Sequence, residues 1–132
     1  MTVHFETLHP ATLYTDVFGV PAPDAPMGRE LWPRQPGLFV HRAQGEAAAS
    51  EPVLERRIGQ FGLVPRWVKS ASDAKLRSPK LVNARSETVT TSNNLREAWL
   101  AGQRCIVPMQ AFFEEDWRSG KAVSTRIARV DG

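Results

Sequence analysis

Four polar side chains that can carry acid–base or anion-binding chemistry lie within or directly after apolar runs of the chain. Asn83, Arg85 and Glu87 belong to one run, and Glu114 ends another. A polar group in a buried segment needs a hydrogen-bond partner or a function. A short amphipathic segment, residues 94–102, joins the two runs. We therefore expect Asn83 and Glu114 to meet at the end of a sheet.

Arg85 is the candidate anion ligand, because a guanidinium binds phosphate or carboxylate through two parallel hydrogen bonds. Asn83 and Arg85 alternate with Val82 and Ala84, so they share one face of a predicted strand. A simpler interpretation makes Asn83 a turn cap and Arg85 a surface residue. Spacing alone favours the simpler interpretation, since one polar pair on a strand is a weak signal.

Glu114 is the candidate general acid or base. It directly follows two phenylalanines, and a carboxyl group that apolar neighbours desolvate has a raised pKa. The adjacent Glu115 and Asp116 favour a solvated strand end instead. Of the three carboxylates only Glu114 keeps the alternation with Phe112, so it is the best candidate.

Trp67 follows Arg66, and this pair suits an unpaired nucleotide, whose base stacks on the indole while its phosphate meets the guanidinium. A core tryptophan is an equally good interpretation. Basic side chains concentrate in residues 56–85, which favours a polyanionic partner more than the net charge of +3 does. These basic residues are Arg56, Arg57, Arg66, Lys69, Lys75, Arg77, Lys80 and Arg85.

The composition predicts one soluble domain over residues 1–132, with 42% hydrophobic and 23% charged residues. The single cysteine, Cys105, excludes a disulfide framework and is interpreted as a buried, inert thiol. The three histidines lack metal-ligand spacing, so we expect no metal and no cofactor. The sequence shows no signal peptide and no apolar run that could span a membrane, so we expect a cytoplasmic protein without a membrane partner.

Hydrophobic periodicity predicts an α+β protein with few helices. Helices are expected from Pro10 to Phe18, ending at Gly19, and from an N-cap at Asn94 to Gly102. The buried face of the second helix is expected to consist of Leu95, Ala98, Trp99 and Leu100. The predicted strands cover residues 2–5, 38–40, 53–63, 81–84, 105–107, 111–113 and 123–130, and the predicted loops cover 20–37, 43–52 and 70–79. The chain ends on Asp131-Gly132, a hairpin turn signal. We therefore expect it to be the front part of a longer domain, incomplete at its C-terminus.

Four motifs, in this order, resemble the SOS-response-associated peptidase (SRAP) family, the abasic-site processing proteins. The motifs are Phe61 to Trp67, Asn83 to Thr88, Ala98-Trp99 ahead of Arg104 to Pro108, and Phe112 to Glu114. The first five residues and Phe18-Gly19-Val20 also follow the family's opening, so the resemblance covers most of the chain.

The resemblance implies a strongly curved mixed β-sheet or open barrel with a few short helices. It implies a role in the DNA-damage response, with single-stranded DNA and abasic-site DNA as partners and no obligate protein partner. In this family the cysteine after the initiator methionine condenses, through its amine and thiol, with the abasic-site aldehyde. By resemblance, Asn83 positions the reactive end and Glu114 is the acid or base, while DNA contacts fall to Arg66, Trp67, Arg85 and His4.

Two departures from the family pattern keep other hypotheses open. Thr2 stands where the family has its cysteine, so an amine remains but the thiol is absent. None of His4, His9 and His41 matches the family's catalytic histidine motif, and His4 replaces its usual arginine. The first hypothesis is an enzyme that reacts through Thr2, by crosslinking, lyase or autopeptidase-like chemistry. The alternatives are a single-stranded-DNA-binding module without the covalent step, and a truncated remnant without activity.

Overall fold

The computed structural model describes residues 4–25, 27–43 and 53–131, which form three short helices and six strands. The helices are α1 (Ala11–Asp16), α2 (Ala71–Arg77) and α3 (Arg96–Leu100), and a 3₁₀ turn covers Ser78–Lys80. The strands are β1 (Phe5–Thr7), β2 (Glu30–Leu31), β3 (Pro36–Arg42), β4 (Leu54–Gln60), β5 (Met109–Asp116) and β6 (Val123–Ile127).

Two antiparallel sheets carry the architecture of the described residues. One has four strands in the order β2-β1-β5-β6, and the other is the pair β3-β4. Phe112, in the middle of β5, pairs with Phe5 on one side and Ile127 on the other. The α+β class with few short helices is confirmed. The expected mixed sheet is not found in the described part, where every strand pair is antiparallel.

The apolar core lies where α1 and its flanking segments pack against β3. Leu38 and Val40 alternate inward from β3 and contact Tyr14 and Val20. The Tyr14 hydroxyl group donates a hydrogen bond of 2.6 Å to the carbonyl of Leu8, so its buried polar atom is satisfied. Desolvation raises the pKa of this phenol. The predicted strand at 38–40 and its return strand are confirmed, whereas most of the predicted 43–52 loop lies outside the described residues.

Strand β1 is short but is bound from two sides. The Thr7 side chain donates a hydrogen bond of 2.6 Å to the carbonyl of Gly28, and its backbone N–H donates to Arg29 at 2.9 Å. These bonds hold the proline-rich segment against β1 and start β2, which the predicted 20–37 loop omitted. A two-residue strand between prolines leaves too little alternation for a sequence pattern to reveal.

The prediction of a loop at 70–79 was wrong, because that segment forms α2. Ser70 begins the helix, and its hydroxyl oxygen accepts a hydrogen bond from the Asp73 backbone N–H at 3.1 Å. Asp73 then pairs with Arg77 one turn later at 2.9 Å. These local polar interactions, without a buried face, support a helix that hydrophobic periodicity cannot indicate.

Two further predicted strands were wrong. Residues 81–84 are irregular, and the Leu81 carbonyl accepts one backbone hydrogen bond, from Leu63 at 2.9 Å. In 105–107 only Ile106 pairs, through two 2.8 Å backbone bonds with Val40. Both segments are apolar runs that cross between elements without a partner strand along their length. Apolar character alone therefore overstated their regularity.

The predicted helix ends are confirmed in part. Gly19 and Gly102 both have the positive φ that ends a helix, 68° and 74°. Asn94 is not the N-cap of α3, because Leu95 occupies that position without a side-chain cap. Instead Ser92 starts the turn, and its carbonyl accepts the Arg96 N–H at 2.9 Å. The predicted final strand is confirmed as β6, and the hairpin turn before it has Gly120 at φ 84°.

An ion pair crosses the four-stranded sheet from β1 to β6. Arg126 donates two hydrogen bonds of 2.8 Å to the two carboxylate oxygens of Glu6. Hydrogen bonding to this guanidinium holds the pKa of the Glu6 carboxyl below its ordinary value of 4.5. The pair therefore links two strands that do not touch each other through backbone bonds, with β5 between them.

The lowered pKa of Glu6 predicts a pH-dependent contribution to stability. Stabilisation by the ion pair is present above the ordinary carboxyl pKa and is lost as the pH falls through the lowered pKa. We expect Glu6→Gln to lower the urea midpoint at about pH 7, and the difference from wild type to shrink at about pH 3. Glu115→Gln, on the exposed face of β5, is the control and should change neither value. An equal loss at both pH values would contradict the prediction.

Candidate functional site

His4 lies between two aromatic rings at the edge where β1 begins. Its imidazole stacks on Trp32 with ring centroids 3.9 Å apart and on Phe113 at 4.2 Å, both nearly parallel. The residue is 8% exposed, and its Nδ1 has no hydrogen-bond partner among the described residues. The stack fixes the chain where it enters the sheet, two residues after Thr2. Thr2 itself lies outside the described residues.

Glu114 follows Phe113 on β5 and pairs in register with Thr125 of β6. It is half-buried, as are Phe112 and Phe113. Because Phe113 is one wall of the His4 stack, the sheet brings the start of β1 close to the strand that carries Glu114. The prediction that Asn83 and Glu114 meet at the end of a sheet stays a prediction.

Asn83 and Arg85 lie in the irregular segment after the 3₁₀ turn. The Leu81 carbonyl binds Leu63, and Phe61 packs edge-on against Phe5 with ring centroids 5.3 Å apart. These contacts carry the segment toward β1 by way of residues 61–63. Asn83 is half-buried, and Arg85 is exposed without an ion-pair partner among the described residues.

Arg66 and Trp67 are both exposed, which excludes the interpretation of Trp67 as a core tryptophan. The Trp67 side chain is 47% exposed, and the Arg77 guanidinium lies over its ring at 4.7 Å. Arg66 binds Glu97 of α3 at 3.3 Å, so its charge is partly compensated. This part of the surface offers one accessible aromatic ring with a guanidinium over it and a second arginine next to it in sequence.

Trp99 is a second exposed tryptophan that the sequence interpretation placed wrongly. The helix pattern predicted Trp99 and Leu100 on the buried face of α3, but they are 40% and 70% exposed. Arg104 stacks on the Trp99 ring at 3.7 Å. The sequence signal for this contact was the five-residue spacing of Trp99 and Arg104 around Gly102. A helix that ends at a glycine turns the following chain back on itself, which can bring Arg104 to the indole.

Carboxylates compensate several cations of the basic segment. Arg56 binds Asp24, Arg57 approaches Glu55, and Arg77 binds Asp73, in addition to the pair at Arg66. Within residues 56–85, the cations without an ion-pair partner among the described residues are Lys69, Lys75, Lys80 and Arg85. Attraction of a polyanion to this surface would therefore rest mainly on the region from 69 to 85.

The Cys105 thiol is a weak candidate for a reactive group. Cys105 is exposed rather than buried as predicted, and local desolvation raises the pKa of its thiol, which disfavours the reactive thiolate.

The described residues contain no metal-binding group of three or more histidine, cysteine, aspartate or glutamate side chains. No helix in the described ranges is both long and apolar enough to cross a bilayer. A groove of about 450 Å³ between Asp24 and Arg56 contains none of the predicted site residues.

Comparison with known proteins identifies relatives of this chain. The family model described as SOS response associated peptidase (SRAP) matches residues 7–132. The chain is 35% identical over 77 residues to the abasic site processing protein HMCES of Gallus gallus, which is 58% of this chain and 22% of that protein. It is 35% identical over 82 residues to the abasic site processing protein YoaM of Bacillus subtilis, 61% of this chain and 34% of that one.

A solved structure has the same fold. It is a crystal structure of a protein from Bordetella bronchiseptica, 32% identical, with a TM-score of 0.74. The alignment covers 98% of this chain and 58% of the other. The segments matched in the curated relatives are about a fifth and a third of their lengths, so this chain spans only a minor part of each.

The His4 stack predicts a specific pattern of stability changes. Replacing His4 with alanine removes the ring between Trp32 and Phe113, and we expect a loss of about 2–3 kcal/mol in the free energy of unfolding. His4→Phe keeps a ring in the stack and removes the unpaired buried nitrogen, so its stability should equal or exceed that of wild type. Urea denaturation measures both variants. A phenylalanine variant as unstable as the alanine one would show that the imidazole nitrogens, not the stacking, hold this site.

Proposed function

This chain belongs to the SOS response associated peptidase (SRAP) family, and from this premise we propose that it binds single-stranded DNA and processes abasic sites through its N-terminus. The observation that carries the proposal is the pairing of β1 with β5, which sets Phe5 opposite Phe112, two residues before Glu114. The relatives named as abasic site processing proteins support the same substrate.

The proposed nucleophile is the α-amine of Thr2, exposed once Met1 is removed. The amine attacks the aldehyde of the ring-opened abasic sugar, and the resulting carbinolamine loses water to give an imine. Glu114 would donate the proton that the departing hydroxide needs and would accept one from the attacking amine. Asn83 would position the reacting end. Loss of the proton next to the imine carbon then allows the 3′ phosphate to leave, which is a lyase reaction.

Thr2 also sets the limit of this chemistry. A cysteine would close a thiazolidine ring on the imine carbon, whereas the Thr2 hydroxyl forms a far less stable oxygen-containing ring. The proposed adduct is therefore a reversible imine. A protein that only binds DNA is the competing hypothesis, and the adduct experiment below separates the two.

The DNA surface that we propose includes Arg66, Trp67 and Arg85. The exposed indole of Trp67 would stack on an unpaired base, and Arg85 would bind a phosphate with its uncompensated guanidinium. His4 is enclosed by Trp32 and Phe113, which favours a role in placing the N-terminal segment over a direct phosphate contact. The bridge between Val40 and Ile106 supports the further proposal that the two sheets form a curved open barrel around this surface. A cytoplasmic location fits this function and the single cysteine.

The adduct experiment uses a single-stranded oligonucleotide with one abasic site, incubated with the protein with and without borohydride. We expect an adduct on a denaturing gel only with borohydride, because reduction traps an imine that otherwise hydrolyses. A protein that retains an N-terminal extension lacks the Thr2 amine and is the control; it should give no adduct. Absence of any adduct despite retained DNA binding would contradict the amine chemistry and favour the binding-only protein.

Thr2→Cys is the matched gain-of-function variant for the same assay. The added thiol completes the pair of neighbouring amine and thiol groups, so the adduct should become heat-stable and independent of borohydride. In the Thr2→Cys background, Glu114→Gln should slow the formation of this adduct, since the proton donor is lost. An unchanged rate would remove Glu114 from the proposed mechanism.

Arg85→Ala tests the proposed phosphate contact. The variant should weaken binding to single-stranded DNA and lower the slope of log affinity against log salt by about one unit. Arg118→Ala is the control, because Arg118 lies in the β5–β6 turn and is already bound to Asp116. Fluorescence anisotropy over a salt series measures both. A slope equal to that of wild type would remove Arg85 from the DNA surface.

A further inference from the structure

We propose that Trp99, held by Arg104, is a second base-stacking platform for single-stranded DNA, next to the one at Trp67. This inference rests on the proposed function and extends it to a longer stretch of strand. Its basis is the way in which the structure presents two exposed tryptophans with the same design and joins them through one ion pair.

The Trp99 ring is accessible and rigidly supported. Arg104 covers it at 3.7 Å, while the residue as a whole remains 40% exposed. Nη1 of Arg104 donates hydrogen bonds to the carbonyls of Trp99 and Gln103 at 3.2 and 3.0 Å. The guanidinium is thus fixed over the ring by one carbonyl of α3 and one of the segment that follows it. Fixing it in advance lowers the entropy cost of binding a ligand on the indole.

Trp67 is built in the same way from other elements. Arg77 lies over its ring at 4.7 Å, and Nε of Arg77 binds Asp73 at 2.9 Å on the preceding turn of α2. In both cases a guanidinium held by hydrogen bonds to nearby residues stacks on an indole that is nearly half exposed. An isolated exposed tryptophan needs no explanation, but two with this shared arrangement indicate a shared ligand.

The ion pair between Arg66 and Glu97 ties the segment that carries Trp67 to α3, which carries Trp99. Arg66 precedes Trp67, and Glu97 lies two residues before Trp99 on α3. The pair brings these helical and loop segments within 3.3 Å at the guanidinium and carboxylate. It also compensates the negative charge of Glu97, which would otherwise repel a phosphate chain passing between the rings.

Unpaired bases are the ligand that this arrangement fits. Every base has a flat face that stacks on an indole without regard to sequence, and nearby guanidinium groups contact the phosphates between bases. Both hydrogen bonds that Arg104 donates to the described residues use Nη1, so Nε and Nη2 remain for such a contact. Arg96, exposed at the start of α3, adds a further cation. With this platform, the proposed path of the bound single-stranded DNA continues from Trp67 to α3.

The test measures binding of oligothymidines of increasing length, without an abasic site, to wild type and three variants by fluorescence anisotropy. Trp67→Ala should weaken binding at every length. Trp99→Ala should leave the shortest oligonucleotides unaffected and weaken the longer ones roughly ten-fold, because only they reach both rings. Trp117→Ala, an exposed tryptophan in the β5–β6 turn, is the control and should match wild type.

Trp99→Phe separates stacking from a structural role. Phenylalanine keeps an aromatic face, so this variant should recover most of the affinity for long strands. Equal affinity of Trp99→Ala and wild type at all lengths would overturn the platform, and so would equal losses in the alanine and phenylalanine variants. If wild type binds no oligothymidine of any length, the proposed single-stranded-DNA function itself fails. Retained binding without a Trp99 effect refutes the platform alone.

Discussion

The pairing of β1 with β5 is the constraint on which the rest of the site depends. Strand β1 has three residues, and each is held by a different interaction: Phe5 against Phe61, Glu6 to Arg126, and Thr7 to Gly28. Three residues of backbone pairing alone would not fix a strand. Because side chains alternate between faces, a shift of one residue would turn every one of them away from its partner. The register is therefore strongly specified, and with it the point at which the N-terminal segment leaves the sheet.

The same register explains why a buried histidine is tolerated at position 4. An imidazole with an unpaired nitrogen costs free energy when it leaves water. Stacking between Trp32 and Phe113 offsets that cost with two nearly parallel aromatic contacts. The stack connects three parts of the chain that are far apart in sequence. It also covers the Phe113 side of the segment that leads to Glu114.

Local and pairwise patterns explain which elements could be predicted from the sequence. Leu38 and Val40, or Phe112 and its neighbours, alternate because one face of each strand is buried, so β3, β5 and α1 were found. The prediction for residues 70–79 was wrong because polar interactions of Ser70 and Asp73 stabilise that helix. The predictions of strands at 81–84 and 105–107 were wrong because an apolar run does not by itself supply a partner strand.

The candidate site was predictable to a different degree. Resemblance of motifs identified Asn83, Arg85 and Glu114, yet no spacing in the sequence indicates that His4 stacks on Phe113, more than a hundred residues away. Trp99 was assigned to the core because helical periodicity counts an indole as apolar. The turn at Gly102 returns Arg104 to this exposed ring. Such contacts arise from tertiary structure and are not written in any single window of sequence.

Charge compensation and the threonine at position 2 both bear on how the proposed DNA substrate would be retained. Arg56, Arg66 and Arg77 are bound to carboxylates, so long-range attraction of DNA would be modest for so basic a segment. An imine at Thr2 would hydrolyse unless the strand stayed in place, since no thiol is present there to close a stable ring. Retention of the substrate must then come from stacking on exposed rings more than from charge or covalent capture. On this reasoning the two arginine-supported tryptophans would compensate for the cysteine that is absent from position 2.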